Sequence, residues 1–439
     1  MKKQLFLLSA LALTALTSCG GSSNRYVPGT KLKVGLICLH DEQTTYDNNF
    51  IDGFNKAVEY CKGKGWIESS QIERSIAESQ DCFDAATRLV NQGCNIIFSD
   101  SFGHDAFMLQ AAQEYPNVIF SSATGVKAIT GGTQNFHNAF ASIFEGRYLA
   151  GFIAGKYLKE VKGIKKEDIK VGYVGAFDYA EVISGYTSWY LGLKKVFPKA
   201  TMEVKYTYSW YDYDKENQAA KDLIKDGCEL ISQHADSMGA PDACKEANIP
   251  NVSYNIDTSK VDPKCKETYV AHSRINWQPY YQNVIENTFN GRVIDGEINR
   301  NFTGTFGDDS VQCEYNEKLF ENCPTAVKDI NDMKTALLDG KQYVFDTNDF
   351  TVEKLQDHYA PDSKLKPVKG PDKDYDTDTK HHLTRYMADT TGDYVRDTNL
   401  VLDLGEQVTY DYPVIAESVY RSAPSFDFII DGIDVPLIE

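Results

Sequence analysis

The chain has 439 residues, enough for two or three domains with sizeable cores. Its 42% apolar and 25% charged residues match a soluble globular protein. A formal net charge of −18 excludes ordinary nucleic-acid binding, which needs a basic surface.

In chain order, the first element is a targeting segment. Lys2 and Lys3 supply positive charge, and "LFLLSALALTAL" supplies an apolar stretch. At about a dozen residues it is too short to span a bilayer comfortably. Leu16-Thr17-Ser18-Cys19 has the pattern of a bacterial lipoprotein box, where the cysteine is acylated. Residues 1–19 are therefore expected to be a lipoprotein signal peptide with Cys19 as the lipidated residue; an ordinary secretory cleavage site is the alternative. Residues 20–31 read as a flexible tether. No later stretch is apolar for the roughly 18 residues a spanning helix requires.

From residue 32 the chain alternates strands and helices. "LKVGLICL" (32–39) is a strand, and Phe50, Phe54, Ala57, Val58 and Cys61 then recur at helical spacing. "CFDAATRLV" and "CNIIFS" are the next helix and strand, followed by "FMLQAAQEY" and "NVIFSS". Such alternation implies crossovers and parallel sheets covered on both faces. The pattern restarts with the helix "FEGRYLAGFIAGKYLKE" and the strand "IKVGYVGAF". Gly93-Cys94 and Asn117-Val118 then match Gly227-Cys228 and Asn251-Val252 at one constant offset.

We read two similar α/β lobes: 32–142, completed by about 273–310, and 143–272, completed by about 324–345. "RNFTGTFGDDSVQCEY" reads as a hairpin with a Gly-Asp-Asp turn. Residues 346–439 are a C-terminal extension of different character, opening with a Pro/Asp/Lys-rich stretch. Of the nine cysteines after Cys19, Cys313 and Cys323 are the best candidates for a pair, while Cys38, Cys94 and Cys228 sit in apolar runs as small core residues.

Ligands of open α/β sheets sit beyond the carboxyl ends of the strands. The loops there are "HDEQTTYD" and "SDSFGHD" in lobe one, and "FDYAEVISGY", "QHADSMG" and "NIDTSK" in lobe two. The first has none of the glycines that cradle a phosphate, so it is expected to present side chains. The candidates are Asp41, Tyr46, Asp47, Ser101, Phe102 and His104 from lobe one. Lobe two offers Phe177, Tyr186, His234, Asp236 and Asp257, with Arg274 and Trp277 after the chain recrosses. Each has a bland reading too: Tyr46 and Trp277 as core, Asp41 as a turn former, Arg274 as a surface charge. Aromatics and carboxylates together suit a neutral ligand rich in hydroxyls and ring nitrogens.

Nothing suggests catalysis. There is no GxSxG, HExxH or GxxxxGKS/T. "DYDKEN" and "DKDYDTDT" imitate a calcium loop but lack its sixth-position glycine and twelfth-position glutamate. No metal or cofactor is expected. The adjacent His381 and His382 point different ways on any regular element and are expected at the surface.

These residues resemble the basic membrane protein family, purine nucleoside receptor-like lipoproteins that serve ABC importers as substrate-binding components. The resemblance runs from about Lys31 to about Tyr343 and rests on "KVGLICLHDEQTTYDNNFIDGF", "CNIIFSDSFGHDAFMLQAAQEYPNVIF", "ASIFEGRYLAGFIAGKYL", "KVGYVGAFD" and "NIDTS". It implies a two-lobed periplasmic-binding-protein type I fold. It implies that Tyr46 stacks on a nucleobase and Asp257 holds ribose hydroxyls. Arg274 falls near a family lysine, Trp277 replaces or adds to a stacking residue, and Tyr186 matches a second aromatic. Asp47 stands where the family has Asn, and "HADSMG" departs from a glycine-rich loop.

The expected function is that of a lipid-anchored extracytoplasmic solute-binding protein, closing two lobes on a nucleoside of purine type. Its partners would be the small-molecule ligand, ABC permease and ATPase subunits, and the membrane through the lipid anchor, with the protein itself monomeric. A sugar- or autoinducer-binding lipoprotein on the same fold is the alternative. A surface enzyme or adhesin is the reading from another class.

Overall fold

The computed structural model describes residues 27–292 and 300–352, then 382, 385–387, 400–403, 414–415, 417–418 and 421–435. The signal peptide, Cys19, most of the tether and His381 lie outside the described residues.

Two sheets organise the chain. The first holds β1 (Leu32–Ile37), β2 (Ile67–Glu73), β3 (Ile96–Ser99), β4 (Ile119–Ala123), β5 (Phe136–Ala141) and β11 (Asn301–Gly304) in the order β11-β5-β4-β3-β1-β2. All its pairings are parallel. The second holds β6 (Lys170–Gly175), β7 (Thr201–Tyr206), β8 (Ile231–His234), β9 (Asn251–Tyr254), β10 (Tyr269–Ile275), β12 (Val311–Tyr315) and β15 (Ile433–Asp434) in the order β12-β10-β9-β8-β6-β7-β15. There only β12 runs antiparallel, against β10. A separate pair, β13 (Arg385–Met387) and β14 (Leu400–Asp403), belongs to the extension.

Helices cover both sheets: α1 (Thr45–Gly63), α2 (Gln80–Asn91), α3 (Asp105–Glu114), α4 (Ile143–Lys156), α5 (Ala180–Lys194), α6 (Tyr213–Lys225), α7 (Gly239–Ala247), the single turn α8 (Thr258–Val261), α9 (Gln278–Phe289) and α10 (Pro324–Leu338). Central strands are buried on both faces, as in β3 and β9, and β3 accordingly reads as an apolar run. β2, "IESSQIE", is an edge strand with mostly half-buried residues, and its polar sequence hides it from an apolar-run search. Thr44 caps α1, its hydroxyl accepting from the Asp47 amide, and Phe50, Phe54, Ala57 and Val58 turn inward.

The chain passes between the sheets three times: from β5 through α4, from β10 into α9 (which packs on α1), and from β11 to β12. The third passage corrects the expected hairpin. β11 and β12 extend different sheets, and the residues between them bridge the lobes. Asp308 shapes that bridge by accepting from the Thr305 and Ser310 amides, and Glu145 of α4 accepts from the Phe306 amide at 2.9 Å. Each sheet has an edge that gains a ladder of hydrogen bonds from one strand, which outweighs a short isolated hairpin.

The expected Cys313–Cys323 pair does not form; all nine described cysteines are free. Cys323 turns its thiol to the Glu160 carbonyl instead. The extension lies on lobe two. Phe345 stacks on Phe426, and Phe426 on Phe428, with centroids 4.5 and 4.2 Å apart. Phe345 also meets Phe144 at the start of α4, and Ile433-Asp434 pairs with Met202-Glu203 of β7. His382 is exposed, with Nδ1 2.7 Å from the Thr347 carbonyl.

α4 and α5 touch backbone to backbone, and glycines permit it. A Cβ on Gly151 would run into the Trp189 carbonyl oxygen, and one on Gly192 into that of Tyr148. We expect Gly151→Ala to cost roughly 1–3 kcal/mol by overpacking. Urea unfolding measures it; an unchanged midpoint would mean the helices can part without loss.

Candidate functional site

The carboxyl ends of β1, β3 and β4 face those of β7 and β8 and the start of α5 across a cleft. Leu39, His40, Tyr46, Asp47, Ser101, Phe102 and Thr124 form one wall. Glu181, Trp210, His234 and Asp236 form the other. The walls nearly meet, leaving a cavity of about 20 Å³. The Thr45 amide donates to the Asp236 carbonyl at 2.9 Å, directly across the lobes. His40 lies 5.8 Å from Tyr211, and Phe102 lies 6.1 Å from Tyr179, ring to ring. A ligand of ring size enters only when these contacts separate.

The lobe-one wall is built from the first loop. Asp47 is buried at the start of α1; it accepts from the His40 amide at 2.7 Å and the Thr44 hydroxyl at 2.6 Å. Burial alone would raise its carboxyl, but hydrogen bonds from His40 and Thr44 hold it below the ordinary value. Tyr46 donates its hydroxyl to the Asp100 carbonyl at 2.8 Å, which turns the half-buried ring along the cavity. The first-turn amides of α1 are already used, Thr45 by Asp236 and Asp47 by Thr44. That is why the loop needs no phosphate-binding glycines.

Asp100 sits below this wall, fully buried. Burial first, then Asp47, raises its carboxyl well above the ordinary range, which favours the protonated form. Cys38, Asp47 and Asp100 each bring one ligand atom within 4.8 Å of the others. The Asp47 oxygens are already occupied by His40 and Thr44, and burial raises the Cys38 thiol, so this group suits a shared proton better than a cation.

Lobe two supplies the opposite balance. Burial pushes the Glu181 carboxyl up to about 7, against the pull of Arg147. Burial, then Glu216 and Asp47, raises Asp236 well above the carboxylate range. Burial and Arg147 keep the His234 imidazole neutral, with Nε2 3.5 Å from Glu181. Arg147 is itself buried. Its Nη1 donates to the Tyr173 hydroxyl and the Gln233 carbonyl, and its guanidinium lies 3.5 Å over the Tyr254 ring. Chemically the cleft offers flat rings for stacking, one ionised carboxylate that accepts, and carboxyl groups able to donate and accept. A planar ring bearing both N–H groups and ring nitrogens meets all three.

Of the sequence candidates, Tyr46, Asp47, Ser101, Phe102, His234 and Asp236 are brought together in the walls. The others lie elsewhere. Asp41 serves a local turn, accepting from the Gln43 amide. His104 is buried with Nε2 against the Ile76 carbonyl. Phe177 stacks on Tyr179, at 4.9 Å and 10°, behind Trp210. Tyr186 is core, its hydroxyl 3.1 Å from that of Tyr206. Asp257 caps α8 through the Ser259 amide and hydroxyl. Arg274 approaches Asp52 at 3.6 Å, and Trp277 is buried against Phe50, with centroids 4.3 Å apart. In each case a partner from another element, or a tight local turn, claims the side chain.

Sequence reasoning missed His40, Thr124, Glu181, Trp210 and, behind the wall, Arg147. Glu181 and Trp210 stand in plain view within "FDYAEVISGY" and "YSWYDY". Arg147 had no signal beyond being a charge inside the apolar helix "FEGRYLAGFIAGKYLKE".

A family model described as "ABC transporter substrate-binding protein PnrA-like" matches residues 34–325. The chain belongs to this family. PnrA-like proteins bind a small molecule for an ABC permease and its ATPase, outside the cytoplasm. A purine-binding protein of Brucella abortus is 34% identical over 254 residues, 57% of this chain and 67% of that one. The ABC transporter nucleoside-binding protein BmpA of Lactococcus lactis is 24% identical, over 58% of this chain and 71% of its own length. A putative glucose-binding protein of Haloferax volcanii is 28% identical, over 52% of this chain and 54% of its own.

Among solved structures, a solute-binding protein of an ABC transporter from Conexibacter woesei superposes with TM-score 0.53 at 20% identity, covering 71% of this chain and 97% of that one. One from Aeropyrum pernix reaches 0.56 at 14% identity, over 71% and 92%. These place the PnrA-like chain in the two-lobed periplasmic-binding-protein fold. Among the described residues, no helix is long and apolar enough to cross a membrane.

The Glu181 value gives a pH dependence. Its carboxyl stands above the ordinary 4.5 in the folded chain, so its contribution is complete below about pH 4.5 and is lost as pH rises through about 7. Urea unfolding should show wild type losing ground to Glu181→Gln between about pH 4.5 and 7. Parallel profiles for the two proteins would contradict it.

Proposed function

We propose that this chain is the lipid-anchored receptor of an ABC importer and that it carries a purine between its lobes. One arrangement carries the reading. The rings of Tyr46, Phe102 and Trp210 and the carboxyl groups of Asp47, Glu181 and Asp236 converge on one narrow slot. A purine presents two flat faces for the rings and an edge of donors and acceptors for the carboxyl groups. The relatives named for purines and nucleosides support the same class.

The free base suits the slot better than the nucleoside. By the resemblance, Asp257 would hold the ribose, yet it is spent on capping α8. Arg274 and Trp277 are likewise engaged away from the walls. A nucleoside would need these groups to be released. Anchoring rests on the lipobox at Cys19, with the tether giving the lobes freedom at the membrane surface. Hinge closure is the mechanism, and opening hands the ligand to the permease.

Calorimetric titration with adenine, hypoxanthine, their nucleosides, glucose and arabinose decides the ligand class. A purine at about 100 times its Kd should raise stability by roughly 2.7 kcal/mol. A response to a sugar and to no purine would overturn the reading. Tyr46→Ala should weaken the bound purine by about 1–3 kcal/mol if the ring stacks on it. Cys19→Ala should shift the protein from the membrane fraction to the soluble one, and retention at the membrane would remove the lipid anchor.

A further inference from the structure

The family match stops at residue 325, yet the chain continues and packs on lobe two. One of its buried polar anchors is Glu417, only 2% exposed. One carboxyl oxygen accepts from the Ser184 hydroxyl at 2.9 Å, and the other accepts from the Phe426 amide at 3.0 Å. The Glu417 carbonyl accepts from the Ser425 hydroxyl at 2.8 Å. Ser184 lies just past the first turn of α5, three residues after Glu181.

We propose that the C-terminal extension is a positioning element of the ligand cleft: through Glu417 it holds Ser184, and with it the turn of α5 that places Glu181 in the cavity wall. This rests on the cleft being the ligand site. The turn lies between the extension and the wall. On its inner side is Gly185, where a Cβ would come within 2.8 Å of His234 Nδ1 and 3.5 Å of Arg147 Nε. No spare room exists there, so a shift of the turn moves His234 and Glu181 together.

The chemistry of the contact fits a positioning role. The extension already holds on by apolar stacking of Phe426 on Phe345, just before it, and on Phe428, and by the Lys195–Asp349 pair at 2.7 Å. Apolar contact is non-directional and lets surfaces slide. A buried carboxyl accepting from two donors on two segments fixes distance and angle. A side chain kept only for adhesion would be better apolar, since burying a carboxyl costs free energy.

The test uses the full chain with Ser184→Ala, Glu417→Ala and Glu417→Gln. It reads adenine and hypoxanthine affinity by calorimetry, hydrogen–deuterium exchange in segments 180–187 and 231–237, and Tm. Ser184→Ala and Glu417→Ala should weaken purine binding roughly three- to tenfold, the effect of one lost hydrogen bond. Exchange should quicken in both segments, and Glu417→Gln, whose oxygen can accept from the Phe426 amide while its NH2 donates to the Ser184 hydroxyl, should stay close to wild type. A lower Tm with unchanged affinity and unchanged exchange would reduce the extension to a brace and overturn the proposal. If Glu417→Ala fails to fold, Ser184→Ala decides alone. If wild type binds neither purine, the purine reading fails, and exchange at 180–187 in Ser184→Ala still upholds or overturns the positioning role.

Discussion

The structure depends on how four acidic side chains are kept in and just beneath a cleft almost closed to water. Asp47 and Asp100 come from lobe one, Glu181 and Asp236 from lobe two. Four bare charges at this range in a poorly solvated space would drive the lobes apart. The chain avoids this in two ways. Asp47 stays ionised because the His40 amide and Thr44 hydroxyl donate to it. Asp100, Asp236 and Glu181 shift toward the neutral form, and Arg147 lies buried behind them as a fixed positive charge.

With the cleft as the proposed ligand site, that solution would shape recognition. A neutral carboxyl donates one hydrogen bond and accepts another, whereas an ionised one only accepts. A ligand edge with alternating donors and acceptors can pair with both kinds. A fully anionic edge meets Asp47 and is repelled. The aromatic walls add area without charge, and the cost of wetting them falls when a ring fills the slot.

The parts far from the cleft serve its geometry. Three passages of chain join the lobes, and the third is pinned by Glu145 to the start of α4. α4 and α5 are locked by glycine contacts, so the helix that begins at the hinge and the one that carries Glu181 behave as one body. The extension docks on both, through Phe144 and Ser184. Under the proposed hinge closure, these contacts favour two rigid units moving against each other over bending of either one.

Much of this was legible before folding. Apolar runs and helical spacing locate most strands and helices, because a strand buried on both faces must be apolar throughout. The repeated Gly-Cys and Asn-Val pairs show two lobes, and the loops after the strands name Tyr46, Asp47, Phe102, His234 and Asp236 as wall residues. Polar β2 and the split of β11 from β12 escaped, since an edge strand carries weak apolar signal and sheet membership depends on distant partners. The destinations of Asp257, Trp277 and Arg274 escaped as well, as did the role of Arg147. A loop sequence says which chemistry stands near a strand end. Only the packed lobes decide which side chains find a partner first and which are left to line the cleft.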